Sequence, residues 1–111
     1  MVAGGETIVT VTGKGAGGRA QEFAAGAALE IAGLNEVWVA AIGTDGTDGP
    51  TDAAGAVVDG STVARAQRLS VDLSDALRHN NIYPALKRLH QLIITGPTGT
   101  NVNDLYLLFI F

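Results

Sequence analysis

Residues 13–18 read Gly-Lys-Gly-Ala-Gly-Gly, which sets glycines at the spacing G-x-G-x-x-G, with Lys14 inside the run and Arg19 directly after it. Gly15 and Gly17 carry no Cβ, so their backbone N–H groups can approach a ligand closely. Such amides in front of a helix attract phosphate or carboxylate. Placed after a strand and before a helix, this spacing suggests a dinucleotide site. The fingerprint also needs an acidic residue at the end of the next strand, about 20 residues on. Asp45 comes later than that. The only Gly-Lys pair is not followed by Ser or Thr, so the Walker pattern is absent. The plainer reading of the stretch is a tight turn with two solvated cations.

A second run, GTDGTDGPTDAAG at 43–55, is too polar and too rich in glycine to build a core. Thr44, Asp45, Gly46, Thr47 and Asp48 form its doubled repeat. Asp45, Asp48 and Asp52 offer hard oxygens to a divalent cation. EF-hand spacing fails, because Thr47 and Gly49 fall at the third and fifth positions and no Glu stands at the twelfth. The alternative is that each aspartate bonds the backbone of its own turn. A third cluster, Thr98, Thr100, Asn101, Asn103 and Asp104, could orient a small hydroxy acid or cap its own loop. His79 and His90 sit beside charged neighbours without a third metal ligand, and Ser61, Ser70 and Ser74 lie in no G-x-S-x-G elbow. A metal centre and a serine triad are therefore not expected.

These loops must be carried by regular elements. ETIVTVT at 6–12 alternates like a strand. Residues 19–32 are rich in helix formers, with Phe23, Ala27 and Ile31 in one stripe and Gly33 as the stop. VWVAAI at 37–42 is an unbroken apolar run, which suits a strand covered on both faces. A short strand at 56–58 ends at Asp59-Gly60. Helices follow at 62–67, capped by Ser61, at 75–79, capped by Asp72 or Ser74, and at about 82–91. Strands at 92–95 and 105–111 close the chain. The alternation predicts an α/β fold: a three-layer α/β/α sandwich with a mostly parallel or mixed sheet of about five strands. Each glycine-rich run follows a strand. If those strands run parallel, the three runs meet at one edge of the sheet, where open α/β sheets bind ligands.

The totals limit the function classes. The chain has 111 residues, the size of one domain, with 47% apolar and 16% charged residues. A formal charge of −4 without a basic run argues against nucleic acid. No apolar run approaches the ~20 residues of a membrane span. No cysteine is present, which fits a reducing cytoplasm, and a cytoplasmic location is expected.

Taken together, TVTGKGAGGRAQE, GTDGTDGPTDAAGAVVDG and TGPTGTNVNDL resemble the MOFRL domain, the carboxyl-terminal domain of the glycerate 2-kinase family, some of whose members are labelled hydroxypyruvate reductases. The resemblance covers nearly the whole chain. It implies ATP- and magnesium-dependent phosphorylation of glycerate in a cleft between this domain and a larger amino-terminal α/β domain, which would carry most of the nucleotide site and a catalytic lysine. The chain departs from the pattern in places. The family's GKGRGGRNQE has Ala16 and Ala20 here; N-D-S-Y is Asn80-Asn81-Ile82-Tyr83; L-G-D-L is Leu89-His90-Gln91-Leu92. The first two changes remove a positive charge and a carboxylate from cleft positions that the resemblance implies.

The expected function is that of a stand-alone MOFRL domain, not catalytic by itself and without a cofactor, whose glycine-loop edge suits a small anionic or hydroxylated ligand. The alternative is one part of a split kinase needing a separate amino-terminal domain. An exposed loop edge with an apolar rim also leads us to expect a homo-oligomer, a dimer being the commonest closed form.

Overall fold

The computed structural model describes residues 2–5, 17–44, 46, 48–49, 51–96 and 104–110. In chain order the elements are β1 (Val2–Gly5), α1 (Arg19–Glu30), β2 (Val37–Ile42), β3 (Gly55–Asp59), α2 (Thr62–Arg68), α3 (Leu73–Arg78), α4 (Ile82–Arg88), β4 (Leu92–Ile93) and β5 (Asp104–Ile110). The strand expected at 6–12 lies outside the described residues. The other expected elements are present with small shifts at their ends.

The strands form one sheet in the order β1-β5-β2-β3-β4. Every neighbouring pair is antiparallel. The α/β class holds, but the mostly parallel sheet does not. Parallel neighbours need a long crossover, usually a helix. The segment between β2 and β3 has no helix among its described residues, and the chain returns directly alongside β2. The carboxyl-terminal strand β5 then inserts between β1 and β2.

The layers differ from expectation too. Val39, Ala41, Ala56 and Val58 form the core with Ala20, Ala24, Ala25 and Ala28 of α1, and Tyr106 and Leu108 pack against it from β5. Ala66, Leu73, Ile82 and Leu86 bring α2, α3 and α4 to the same cluster. The four helices among the described residues therefore lie on one face of the sheet. The molecule measures 37 × 36 × 22 Å. Its short dimension suits one helix layer of about 10–12 Å on one sheet. The expected second helix layer does not occur among the described residues. VWVAAI is apolar throughout although only alternate residues reach the helices. Its outward Trp38 is 39% exposed.

On α1 the buried stripe is Ala20, Ala24 and Ala28, offset by one residue from the Phe23 stripe. Small side chains let the helix backbone come close to the sheet. Phe23 is pushed to the flank, where its ring lies 4.4 Å from that of Tyr106 between centroids. Asp72 caps α3 by accepting from the Asp75 N–H at 3.0 Å. Ser61 does not cap α2; its hydroxyl donates to the Asp59 carboxylate instead.

Candidate functional site

Antiparallel pairing still brings the ends of three strands to one edge. One strand separates β1 from β2, and another separates β2 from β4, so β1, β2 and β4 run in the same direction. Gly5 is level with Asp104, Ile42 with Leu105 and Gly55, and Gly55 with Ile93. The three strands thus end at one edge, and the segments holding the glycine runs all leave from it. Asp104, expected in the third loop, is the first residue of β5.

At this edge the first and second runs are joined through Asp48, which is 4% exposed. Its carboxylate accepts from the backbone N–H of Ala20 at 3.0 Å and of Gln21 at 2.8 Å. The first turn of α1 has no side-chain cap from Gly18, its own N-cap residue. A residue 28 positions away fills that place with negative charge, which suits a helix amino terminus. The Gln21 amide donates to the Thr51 hydroxyl at 2.9 Å, and that hydroxyl donates to the Asp48 carbonyl at 2.8 Å. Gln21 is fully buried, and its Oε1 has no hydrogen-bond partner among the described residues. The backbones are in contact as well. Gly49 has φ +62°, and a Cβ there would overlap the carbonyl of Gly17.

A third segment, the turn between α3 and α4, reaches the same place. Asn80, 8% exposed, donates from its side-chain amide to Glu22 of α1 at 2.6 Å. Ile82 packs against Gly17, where a Cβ would come within 3.0 Å of its Cγ2. Tyr83 donates its hydroxyl to Asp52 at 2.6 Å, and the Lys87 ammonium lies 5.8 Å from the centre of its ring. The Asp52 hydrogen bond, aided by desolvation and the Asp52 charge, holds the Tyr83 hydroxyl above the usual tyrosine range.

Of the residues singled out from the sequence, Gly17, Arg19, Thr44, Gly46 and Asp48 belong to the segments that meet at this edge. Lys14, Gly15, Asp45, Thr47, Thr98, Thr100 and Asn101 lie outside the described residues, and Asp104 is described in its backbone only. No three described His, Asp or Glu side chains are grouped to hold a metal ion. Asn80, Tyr83, Glu22 and Gln21 are additions. The departure from N-D-S-Y was the signal for the first two, since it marked a functional motif at 80–83. At the other departure, Gln91 is buried and accepts at 2.9 Å from Thr62, whose hydroxyl also accepts the Asp59 N–H. The amide there keeps a hydrogen-bonded place that the pattern gives to a carboxylate.

The structure thus defines a two-layer α/β domain with a polar edge made by three chain segments. The MOFRL family model matches residues 1–104, and the chain belongs to the MOFRL family. It is 53% identical over 105 residues to a D-glycerate 2-kinase of Thermotoga maritima, covering 95% of this chain and 25% of that protein. It is 48% identical to a glycerate 2-kinase of Pyrococcus horikoshii, covering 99% and 25%. The crystal structure of a glycerate kinase from Thermotoga maritima superposes with a TM-score of 0.97 at 52% identity over 99% of this chain and 27% of that one. The chain spans about a quarter of the length of these relatives.

Proposed function

We propose that this MOFRL domain forms one wall of a site for a small hydroxylated acid of the glycerate type, and that phosphoryl transfer requires the larger domain such kinases carry. The observation behind this reading is the convergence of α1, the 43–53 segment and the α3–α4 turn on one polar edge, in a chain 53% identical to part of a D-glycerate 2-kinase. Asn80, Tyr83 and Glu22 are the described side chains we assign to ligand contact or to its support, beside Thr44 and Arg19.

The described residues do not fit a nucleotide triphosphate with its magnesium. The Ala20 and Gln21 amides at the start of α1, which could otherwise hold an anion, are already bonded to Asp48. The neighbouring carboxylates of Glu22, Asp48 and Asp52 would repel a polyphosphate. We therefore assign ATP and magnesium to the larger domain. A domain whose described residues offer one wall and no nucleotide site is expected to be inactive alone.

The test is a full-length chimera in which this chain replaces its counterpart in the Thermotoga maritima kinase. Glycerate-dependent ADP formation is expected from the chimera and not from the isolated chain. A folded chimera without activity would refute the reading. Activity from the isolated chain would refute the division of labour.

A further inference from the structure

The sheet face turned away from the helices carries Trp38 and Ile42 of β2, Val57 of β3, and Leu105, Leu107 and Phe109 of β5. The register sets these side by side: Trp38 opposite Phe109, Ile42 opposite Leu105, and Ala40 between Leu107 and Val57. Trp38 is 39% and Phe109 43% exposed. Asp59, opposite Trp38, puts one carboxylate at the end of this face. A sheet buries each apolar face against another layer. Ala40 is buried and Ile42, Val57, Leu105 and Leu107 are half-buried, so the exposed part of the face is the Trp38–Phe109 pair, and such exposed apolar groups set together mark a contact surface. The four helices among the described residues are engaged on the opposite face.

We propose that this face is the docking surface for the larger domain of a kinase-length protein, which completes the missing layer of the sandwich. The inference rests on the kinase-domain reading above. Its occupant follows from length: this chain corresponds to 25% of its relatives, and a fold at TM-score 0.97 is embedded in one of them. About three times as much chain must therefore pack against a domain of this shape. One face is filled by its own helices, and the other is apolar, with Trp38 and Phe109 exposed at one end.

Trp38 is the chain's only tryptophan, which makes it a reporter on the face itself. The chimera and the isolated chain are labelled with 5-fluorotryptophan, and the Trp38 fluorine line is assigned by its loss in Trp38→Phe. In the isolated chain, a soluble nitroxide should broaden this line at all concentrations. In the chimera, the line should shift and the broadening should be lost. Trp38→Glu and Phe109→Glu should each lower the chimera's activity about tenfold or more, the effect of losing a contact near the centre of an interface. Leu69→Glu, at the exposed end of α2, should leave it unchanged. An active chimera in which Trp38 stays open to the nitroxide would overturn this inference and leave the functional reading standing. An inactive chimera with a protected Trp38 would do the reverse. A line that shifts with concentration in the isolated chain would assign the face to a second copy and overturn the proposal.

Discussion

Asp48 closes two loops with one carboxylate. Its two oxygens take the N–H groups of Ala20 and Gln21, and its carbonyl takes the Thr51 hydroxyl. Hydrogen bonds to a charged group contribute roughly 1.5–3 kcal/mol, and a buried donor left without an acceptor costs a similar amount. Asp48→Ala is expected to destabilise the domain by about 2–4 kcal/mol, with both donors losing their acceptor. Urea unfolding at constant slope measures this. A loss under about 0.5 kcal/mol, the size of an ordinary surface substitution, would mean that water or a neighbour replaces the carboxylate. By its place in the repeat, Asp48 suggests a cation ligand or a local turn former. Neither spacing nor composition could reveal its actual partner, because a cap supplied from 28 residues away leaves no local pattern. The sequence did mark the neighbourhood. Glycines at 17, 18 and 49 are what so close an approach of two backbones requires.

Among the elements, the helix ends have a common design. α2, α3 and α4 each stop with one residue in the left-handed region: Ser70 at φ +57°, Asn80 at +53° and His90 at +56°. In each, the following N–H reaches five carbonyls back, from Val71 to Ala66, Asn81 to Ala76 and Gln91 to Leu86. This is the Schellman arrangement, in which glycine is the usual left-handed residue because a Cβ is strained there. The family's L-G-D-L pattern supplies that glycine where this chain has His90. We expect His90→Gly and Ser70→Gly each to stabilise the domain by about 0.5–1 kcal/mol, the strain relieved less the added freedom of the unfolded chain. Thermal and urea unfolding would both read it, and loss of stability in either variant would show that the side chain makes up for the strain. Asn80→Gly should not help, because its amide bonds Glu22. These ends were legible to unequal degrees. Asn80-Asn81 announced a break, whereas Ser70 and His90 gave no sign, since neither is a residue that commonly ends a helix this way. The described helices follow local propensity, and β2, β3, β4 and β5 follow apolar runs, whereas β1, Val-Ala-Gly-Gly, carries no such signal. Strand order was not legible, because insertion of β5 between β1 and β2 depends on contacts across most of the chain.

At the scale of the molecule, the described residues form a slab with helices on one face, Trp38 and Phe109 exposed on the other, and a polar edge between them. Its radius of gyration is 12.9 Å, close to the ~13 Å of a compact domain of this length. A small-molecule site usually encloses most of its ligand's surface. An edge with one wall cannot, whatever polar groups it presents, and its charge is unfavourable for an acid as well. The acids Glu22, Asp48 and Asp52 stand there in a chain of net charge −4. Ligand binding should therefore depend on the second wall. If the isolated chain binds glycerate with a dissociation constant above 10 mM, then 10 mM ligand stabilises it by less than about 0.4 kcal/mol. For a domain near this size, that is a rise of under ~3 °C in melting temperature. The chimera should show a clear rise under the same conditions. Differential scanning fluorimetry on both proteins, with sodium chloride matched for ionic strength, separates the cases. A large rise in the isolated chain would mean that the loops close around the ligand unaided. In that event the edge is a complete site, and the larger domain brings only the phosphoryl donor.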